Sequence, residues 1–113
     1  MGNNIEAILR AKVNEINKSS DKKKLLSEWI HDYPMKIVSL KTEEGSFHIV
    51  FKKNEASIRK GDYSSCEFTY IGSSTVIKNI LEGNESAGKA GMKGIIKGWG
   101  SVNEALQFEK LLR

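Results

Sequence analysis

The residues that could carry out chemistry in this chain are few and widely spaced. His31 and His48 are its two imidazoles, and Cys66 is its single thiol. Their spacing does not match that of zinc sites, so neither a metal nor a cofactor is expected. A Cys66–His48 nucleophile pair is one alternative, since both residues fall on predicted strands. Because no residue is obviously placed to orient the histidine, Cys66 is interpreted as a small core residue.

The other polar residues do not form a catalytic arrangement either. Glu43, Glu44 and Glu55 fall in predicted turns, where solvated carboxylates are normal, so an acid–base pair is not indicated. Lys97 lies between apolar residues of the last predicted strand and could reach the head group of a ligand. Such a lysine more often packs its stem and leaves its amine in water. No catalytic residue is assigned, and the chain is expected not to be an enzyme.

Length and composition are typical of one globular domain spanning residues 1–113. Apolar residues make up 39% of the chain and charged residues 28%. No apolar run approaches the roughly 20 residues that a bilayer span needs. The first residues, beginning Met1-Gly2, lack the pattern of a secretory signal. Because the lone Cys66 cannot form an internal disulfide, a reducing cytoplasm is the expected compartment.

The positive charge is modest and dispersed. The formal net charge is +4, with one local basic run at Lys22-Lys23-Lys24. A nucleic-acid binder usually gathers its charge on one face and interleaves aromatic residues, so nucleic acid is not an expected partner. Transient attraction to an anionic membrane surface stays open, since each basic residue near such a surface contributes about 1 kcal/mol.

Apolar spacings of three and four residues predict two helices at the start of the chain. The first runs from Asn3 to Lys18 and is capped by Asn3 or Asn4. The second follows the cap offered by Ser19-Ser20-Asp21. It ends before Pro34, because a residue that precedes proline avoids the helical region.

The apolar period then changes to two, which predicts strands. Strands are expected at Met35–Thr42, Phe47–Lys52, Ala56–Ile58 and Cys66–Tyr70, with His48 facing outward. Their short connections predict an antiparallel meander.

After this meander the chain returns to helical spacing. Ser73 or Ser74 caps a helix that Gly83 ends, and Asn84–Gly91 forms a short helical turn. A fifth strand is then expected before a terminal helix.

The fifth strand is predicted at Lys93–Trp99. The terminal helix opens with a capping box at Ser101–Glu104. The expected fold is therefore α+β, with a five-stranded, mainly antiparallel sheet and helices packed on one face.

Small residues concentrate late in the chain, where six of its ten glycines lie between Gly83 and Gly100. Glycine and alanine at such density let backbones approach closely or leave space beside them. Next to apolar helices, this composition favours a site where an apolar molecule binds.

The same region resembles the sterol carrier protein type 2 family of lipid-binding domains. The resemblance rests on Leu81-Glu82-Gly83, then Gly94-Ile95-Ile96-Lys97-Gly98, then an amphipathic terminal helix, and it covers roughly residues 25 to 113. The chain departs from the family pattern by placing lysine before glycine at Lys93-Gly94. The resemblance implies that a lipid binds in an apolar tunnel between the sheet and the helices.

The predicted function is therefore binding and carriage of a long-chain apolar ligand, such as a fatty acid, an acyl-CoA or another lipid. The helix Ser101–Arg113 is the predicted lid. The candidate ligand-binding residues are apolar positions of the sheet and helices: Trp29, Phe47, Ile49, Phe51, Phe68, Ile77, Ile80, Leu81, Met92, Ile96, Phe108 and Leu112.

A cavity for such a ligand is costly when empty. A void of roughly 300 Å³ costs about 7 kcal/mol at about 24 cal/mol per Å³, while a domain of this size has about 5 to 15 kcal/mol of stability. The cavity is thus expected to hold a lipid or to collapse. The alternative is a non-enzymatic interaction module, or a homodimer, with a filled core. In that case the terminal helix packs on another chain.

Overall fold

The computed structural model describes residues 4–61, 63 and 66–112; Met1, Gly2, Asn3 and Arg113, named among the expectations, lie outside that description. The elements in chain order are α1 (Ile5–Lys18), α2 (Ser20–Ile30), β1 (Lys36–Thr42), β2 (Gly45–Lys52), β3 (Glu55–Lys60), β4 (Phe68–Gly72), α3 (Ser74–Leu81), α4 (Ala87–Met92), β5 (Ile96–Gly100) and α5 (Val102–Leu112).

The five strands form one sheet in the order β3-β2-β1-β4-β5. Three of the four neighbouring pairs are antiparallel, which confirms a mainly antiparallel sheet. The simple meander is wrong at β4, because β4 pairs with β1 in parallel rather than with β3. A parallel crossover needs a long connection. Between β1 and β4 the chain contains β2, β3 and residues 61–67, which together are long enough.

The helices pack on one face of this sheet, as predicted. A chain of aromatic rings runs through the interface, from Trp29 to Phe51, Phe108, Tyr70 and Phe68. Successive ring centroids lie 5.0, 5.8, 5.7 and 4.8 Å apart. These distances are typical of favourable edge-to-face contacts. The centre of the domain is therefore filled by side chains.

The predicted helix caps are largely confirmed. The side chains of Asn4, Ser19 and Ser73 accept hydrogen bonds from the first turns of α1, α2 and α3. Gly83, just beyond α3, has a φ of +80°, a conformation that residues with a Cβ rarely adopt. Local sequence therefore sets where these helices begin and end.

The capping box of α5 is only half confirmed. The Ser101 hydroxyl accepts from the Glu104 amide at 3.4 Å. The Glu104 carboxylate does not complete the box; it pairs with the buried Lys36 Nζ at 2.7 Å and accepts from Trp29 Nε1 at 3.3 Å. This group of three side chains fastens the start of α5 to α2 and β1.

The carboxylates of the β1–β2 turn have partners in distant elements; Glu43 is exposed, as predicted, and Glu44 is half-buried. The Glu43 carboxylate accepts hydrogen bonds from the hydroxyl and the amide of Ser74, and these bonds lower the pKa of Glu43. Glu44 Oε1 accepts from the Ile5 amide at 2.8 Å. Both carboxylates thus lie at helix N-termini, where the helix dipole favours negative charge.

His48 lies on the sheet face away from the helices, but it is buried rather than outward in solvent, with 8% of its surface exposed. Gly61 and Tyr63 lie against it: Nδ1 lies 2.9 Å from the Gly61 carbonyl oxygen, and the ring lies 5.4 Å from that of Tyr63. Cys66 precedes β4, is half-buried and contacts the Thr69 hydroxyl at 2.9 Å. The two residues therefore bond to other groups and do not pair as nucleophile and base.

Candidate functional site

A cavity of about 210 Å³ lies at the β5 end of the domain, between the sheet, α4 and one face of α5. Aromatic side chains of β4 and small residues of α4, β5 and α5 form most of its walls. The lining residues are Phe68, Tyr70, Ala87, Gly88, Gly91, Ile96, Lys97, Gly98, Val102, Ala105, Leu106 and Glu109.

The cavity exists because glycine occupies positions where a larger residue would place a side chain. Gly98 pairs with Tyr70 across β4 and β5, and a Cβ built on it would lie 2.5 Å from Phe68 Cζ. The Phe68 ring can therefore lie over β5 only because position 98 is glycine. On α4, a Cβ on Gly91 would meet no heavy atom within 4 Å. The cavity thus depends on small residues on two facing elements.

One buried polar pair interrupts the apolar walls. The Tyr70 hydroxyl donates a hydrogen bond to Glu109 Oε2 at 3.1 Å, and Glu109 is only 7% exposed. Burial and the adjacent Glu109 carboxylate raise the pKa of Tyr70 above its ordinary value, so the phenol keeps its proton. The pair gives the cavity a polar, hydrogen-bonding end.

The two residues considered as a nucleophile pair lie outside the cavity: neither His48 nor Cys66 is in its lining. No group of three or more His, Cys, Asp or Glu side chains suited to a metal occurs in residues 4–61, 63 and 66–112. The lining consists mainly of apolar and small residues.

The predicted ligand-binding residues fall into three places. Phe68 and Ile96 line the cavity. Met92 is adjacent to the lining residue Gly91 but is 90% exposed. The other nine are packed in the core beneath the helices: Trp29, Phe47, Ile49, Phe51, Ile77, Ile80, Leu81, Phe108 and Leu112.

Several lining residues were not among those predicted. Four of them lie at helical spacing on one face of α5: Val102, Ala105, Leu106 and Glu109. In the sequence, these lining positions could have been recognised because a small residue and a carboxylate interrupt an apolar stripe. Lys97 is also among the lining residues. It pairs with Ile71 across β4 and β5, and alternation along the strand places its side chain on the sheet face away from the helices.

None of the helices in the part of the chain that the structure describes has the length and apolar character to cross a membrane.

The sequence matches the model of the SCP-2 sterol transfer family over residues 10–113. A comparison with curated protein sequences gives no significant match.

Solved structures share the fold at low sequence identity. The SCP2 structure of UbiJ, a ubiquinone synthesis protein, is 13% identical, with a TM-score of 0.72 over 95% of this chain and 94% of its own. Sterol carrier protein 2 from Yarrowia lipolytica, in its apo form, is 21% identical, with a TM-score of 0.63 over 96% of this chain and 86% of its own. The sec-alkylsulfatase Pisa1 from Pseudomonas sp. is 12% identical, with a TM-score of 0.67 over 79% of this chain but 14% of the enzyme.

The role of Gly98 can be tested against Gly91. Because an added Cβ displaces the Phe68 ring, Gly98→Ala is expected to lower the free energy of unfolding by about 1–3 kcal/mol. Gly91→Ala adds a methyl group to open space on a helix and is expected to be neutral or to stabilise by up to about 1 kcal/mol. Urea denaturation measures both. Equal effects of the two substitutions would show that Phe68 does not depend on position 98.

Proposed function

The chain belongs to the SCP-2 sterol transfer family, and we propose that it binds and carries a long-chain apolar ligand in the cavity between β5, α4 and α5. The observation that carries this proposal is the coincidence of apolar walls, small residues and a polar end at one site. The predicted core residues then support the cavity from below, and Phe68 and Ile96 contact the ligand directly.

The size of the cavity limits how much of a ligand it encloses. A volume of about 210 Å³ corresponds to about seven water-sized groups at about 30 Å³ each. A chain of 16 or so carbons therefore needs either an exit for its tail or movement of a wall. Burying about seven methylene groups contributes roughly 6 kcal/mol before the costs of binding. The enclosed portion alone thus supports weak binding, and a moving wall supports tighter binding.

The contacts favour α4 as the wall that moves. The predicted lid, α5, is held by the buried side chains of Phe108, Leu111 and Leu112. The Leu111 carbonyl also accepts from Lys22 Nζ at 2.6 Å. On α4, only Ala90 is buried. Segments with few buried contacts open at the lowest free-energy cost, so we assign α5 to the fixed wall and α4 to the gate.

Exposed apolar side chains surround this gate, and we call Met92, Ile95, Val102 and Leu106 the apolar rim. Met92, Val102 and Leu106 are 90%, 67% and 58% exposed, and the exposed lysines Lys89 and Lys93 are close in sequence. Apolar and basic residues together suit transient contact with an anionic membrane surface. Such contact in the cytoplasm, the expected compartment, would bring the gate to the lipid.

A second candidate function, an interaction module or homodimer, is favoured by the position of β5. This strand lies at the edge of the sheet, and its Trp99 is exposed. An unpaired strand edge is a template for pairing with another chain. In this alternative, a second copy covers β5 and the apolar rim, and the ligand cavity has no role.

Filling the cavity tests the carrier function. Ala105→Phe places a ring inside the cavity and is expected to lower affinity for the neutral probe N-phenyl-1-naphthylamine at least tenfold, since binding and the added ring compete for one volume. Ala87→Leu fills the cavity from the α4 side and replaces Ala105→Phe as the test variant if Ala105→Phe does not fold. Gln107→Ala, on an exposed position of α5, is the matched control. Probe fluorescence measures affinity, and mass spectrometry of extracted lipid identifies any natural ligand. Probe binding unchanged by both filling variants would contradict the assignment of the site.

Removing an apolar side chain from the rim tests membrane contact. Met92→Ser is expected to reduce flotation with vesicles containing anionic lipid and to leave probe affinity unchanged, because Met92 does not line the cavity. Met35→Ser, at an exposed methionine outside the rim, is the control. Two results together would favour the interaction module. Both variants would float equally with the vesicles, and sedimentation analysis would show a dimer that Met92→Ser dissociates.

A further inference from the structure

The first half of α5 supplies three of the cavity's lining residues but has little buried apolar surface of its own. Val102 and Leu106 line the cavity and are 67% and 58% exposed, and the third residue, Ala105, is buried but small. The large buried apolar side chains of α5 lie in its second half, at Phe108, Leu111 and Leu112. Hydrophobic packing therefore holds the second half of the helix more firmly than the first.

A buried ion pair holds the first half. Lys36 Nζ lies 2.7 Å from Glu104 Oε2, and Trp29 Nε1 donates to Glu104 Oε1 at 3.3 Å. The ammonium group of Lys36 also lies over the rings of Trp29 and Tyr33, 5.3 and 4.8 Å from their centroids, where the ring faces attract a cation. Glu104 directly precedes the lining residue Ala105, so a fixed Glu104 carboxylate also fixes this wall of the cavity.

Stability alone gives little reason for a charge at position 36. Lys36 pairs with Phe51 across β1 and β2, so it lies on the sheet face that packs against the helices, and it is only 6% exposed. Taking two charges out of water is costly, and apolar residues of similar volume often give equal or greater stability than a buried ion pair. Short, directed bonds between charged groups do supply a defined geometry.

We propose that Lys36 is a positioning residue of the cavity, which acts through Glu104 to hold the first half of α5 as a wall. Lys36 is not in the lining, so it affects a bound ligand only through the placement of Val102, Ala105 and Leu106. This inference rests on the proposed function, because it assigns a further residue to the binding of an apolar ligand in the same cavity.

The double variant Lys36→Met/Glu104→Gln tests this role, because it removes the ion pair and leaves no unpaired charge. Methionine replaces the apolar stem of the lysine, and the glutamine oxygen still accepts from Trp29 Nε1. The midpoint of urea denaturation is therefore expected to stay close to that of the unmodified chain. The affinity for N-phenyl-1-naphthylamine is expected to fall about fivefold or more, within the range measured for directly coupled groups.

A second ion pair of the chain offers a matched control. Lys60 Nζ lies 3.3 Å from Glu6 Oε1, and neither residue lines the cavity. Lys60→Met/Glu6→Gln makes the same two substitutions there and is expected to leave the affinity for the probe unchanged. If the Lys36→Met/Glu104→Gln variant does not fold, Glu104→Gln alone, which keeps the shape of the side chain, replaces it and is expected to lower the affinity in the same direction.

Methyl relaxation in ¹³C-labelled protein separates positioning from a general loss of structure. The order parameter of the Ala105 methyl group is expected to fall in the Lys36→Met/Glu104→Gln variant, because the first half of α5 is then held less firmly. The methyl group of Ala56, which is buried on β3, is expected to keep its order parameter in the same variant.

Each contradictory outcome has a separate meaning. Probe affinity that survives removal of the Lys36–Glu104 pair overturns the positioning role, while carriage of an apolar ligand stands. An equal loss of affinity in the Lys60→Met/Glu6→Gln control, or a loss with no change at the Ala105 methyl group, also overturns it. Failure of the unmodified chain to bind N-phenyl-1-naphthylamine overturns the proposed function and this inference together.

Discussion

The close approach of Phe68 to Gly98 is the contact on which the candidate site depends. The ring occupies the position that a side chain on β5 would take, so β4 contributes an aromatic floor while β5 contributes only backbone there. The space above this floor is left open by Gly91 and Ala87 of α4 and by Ala105 of α5. The cavity opens to solvent beside Val102 and Leu106, which are 67% and 58% exposed. An apolar molecule bound there would remove its apolar walls from water, which is favourable.

Much of the fold could be predicted because its determinants are local. The apolar periods and the caps at Ser19 and Ser73 set the elements, and Gly83 ends α3 by its conformation. The parallel pairing of β1 with β4 could not be predicted in this way, because periodicity shows which face a residue occupies and not which strand lies beside it. The partners of Glu43 and Glu104 were missed for a related reason. A side chain that joins elements distant in sequence looks the same as a solvated one until those elements meet.

The ligand site itself stays a prediction. The density of small residues drew attention to the region between Gly83 and Gly100, and an apolar cavity of the structure lies beside that region. The large apolar side chains of the central helices and strands were expected to surround the ligand, but Phe51 and Phe108 pack against each other. Hydrophobic stripes look the same whether they face a ligand or the core. Glu109 was the more informative residue, since a carboxylate within the apolar face of α5 calls for a buried partner.

The location of the bound ligand tests this account most directly. Intermolecular nuclear Overhauser effects can be measured between saturating N-phenyl-1-naphthylamine and the methyl groups of the uniformly ¹³C-labelled chain. We predict contacts from this ligand to the methyl groups of Ala87 and Ala105, with none to Ile77 or Ile80 in the filled core. Contacts to Ile77 and Ile80 in place of the two alanines would contradict it, because the ligand would then lie in a core that the structure shows to be packed.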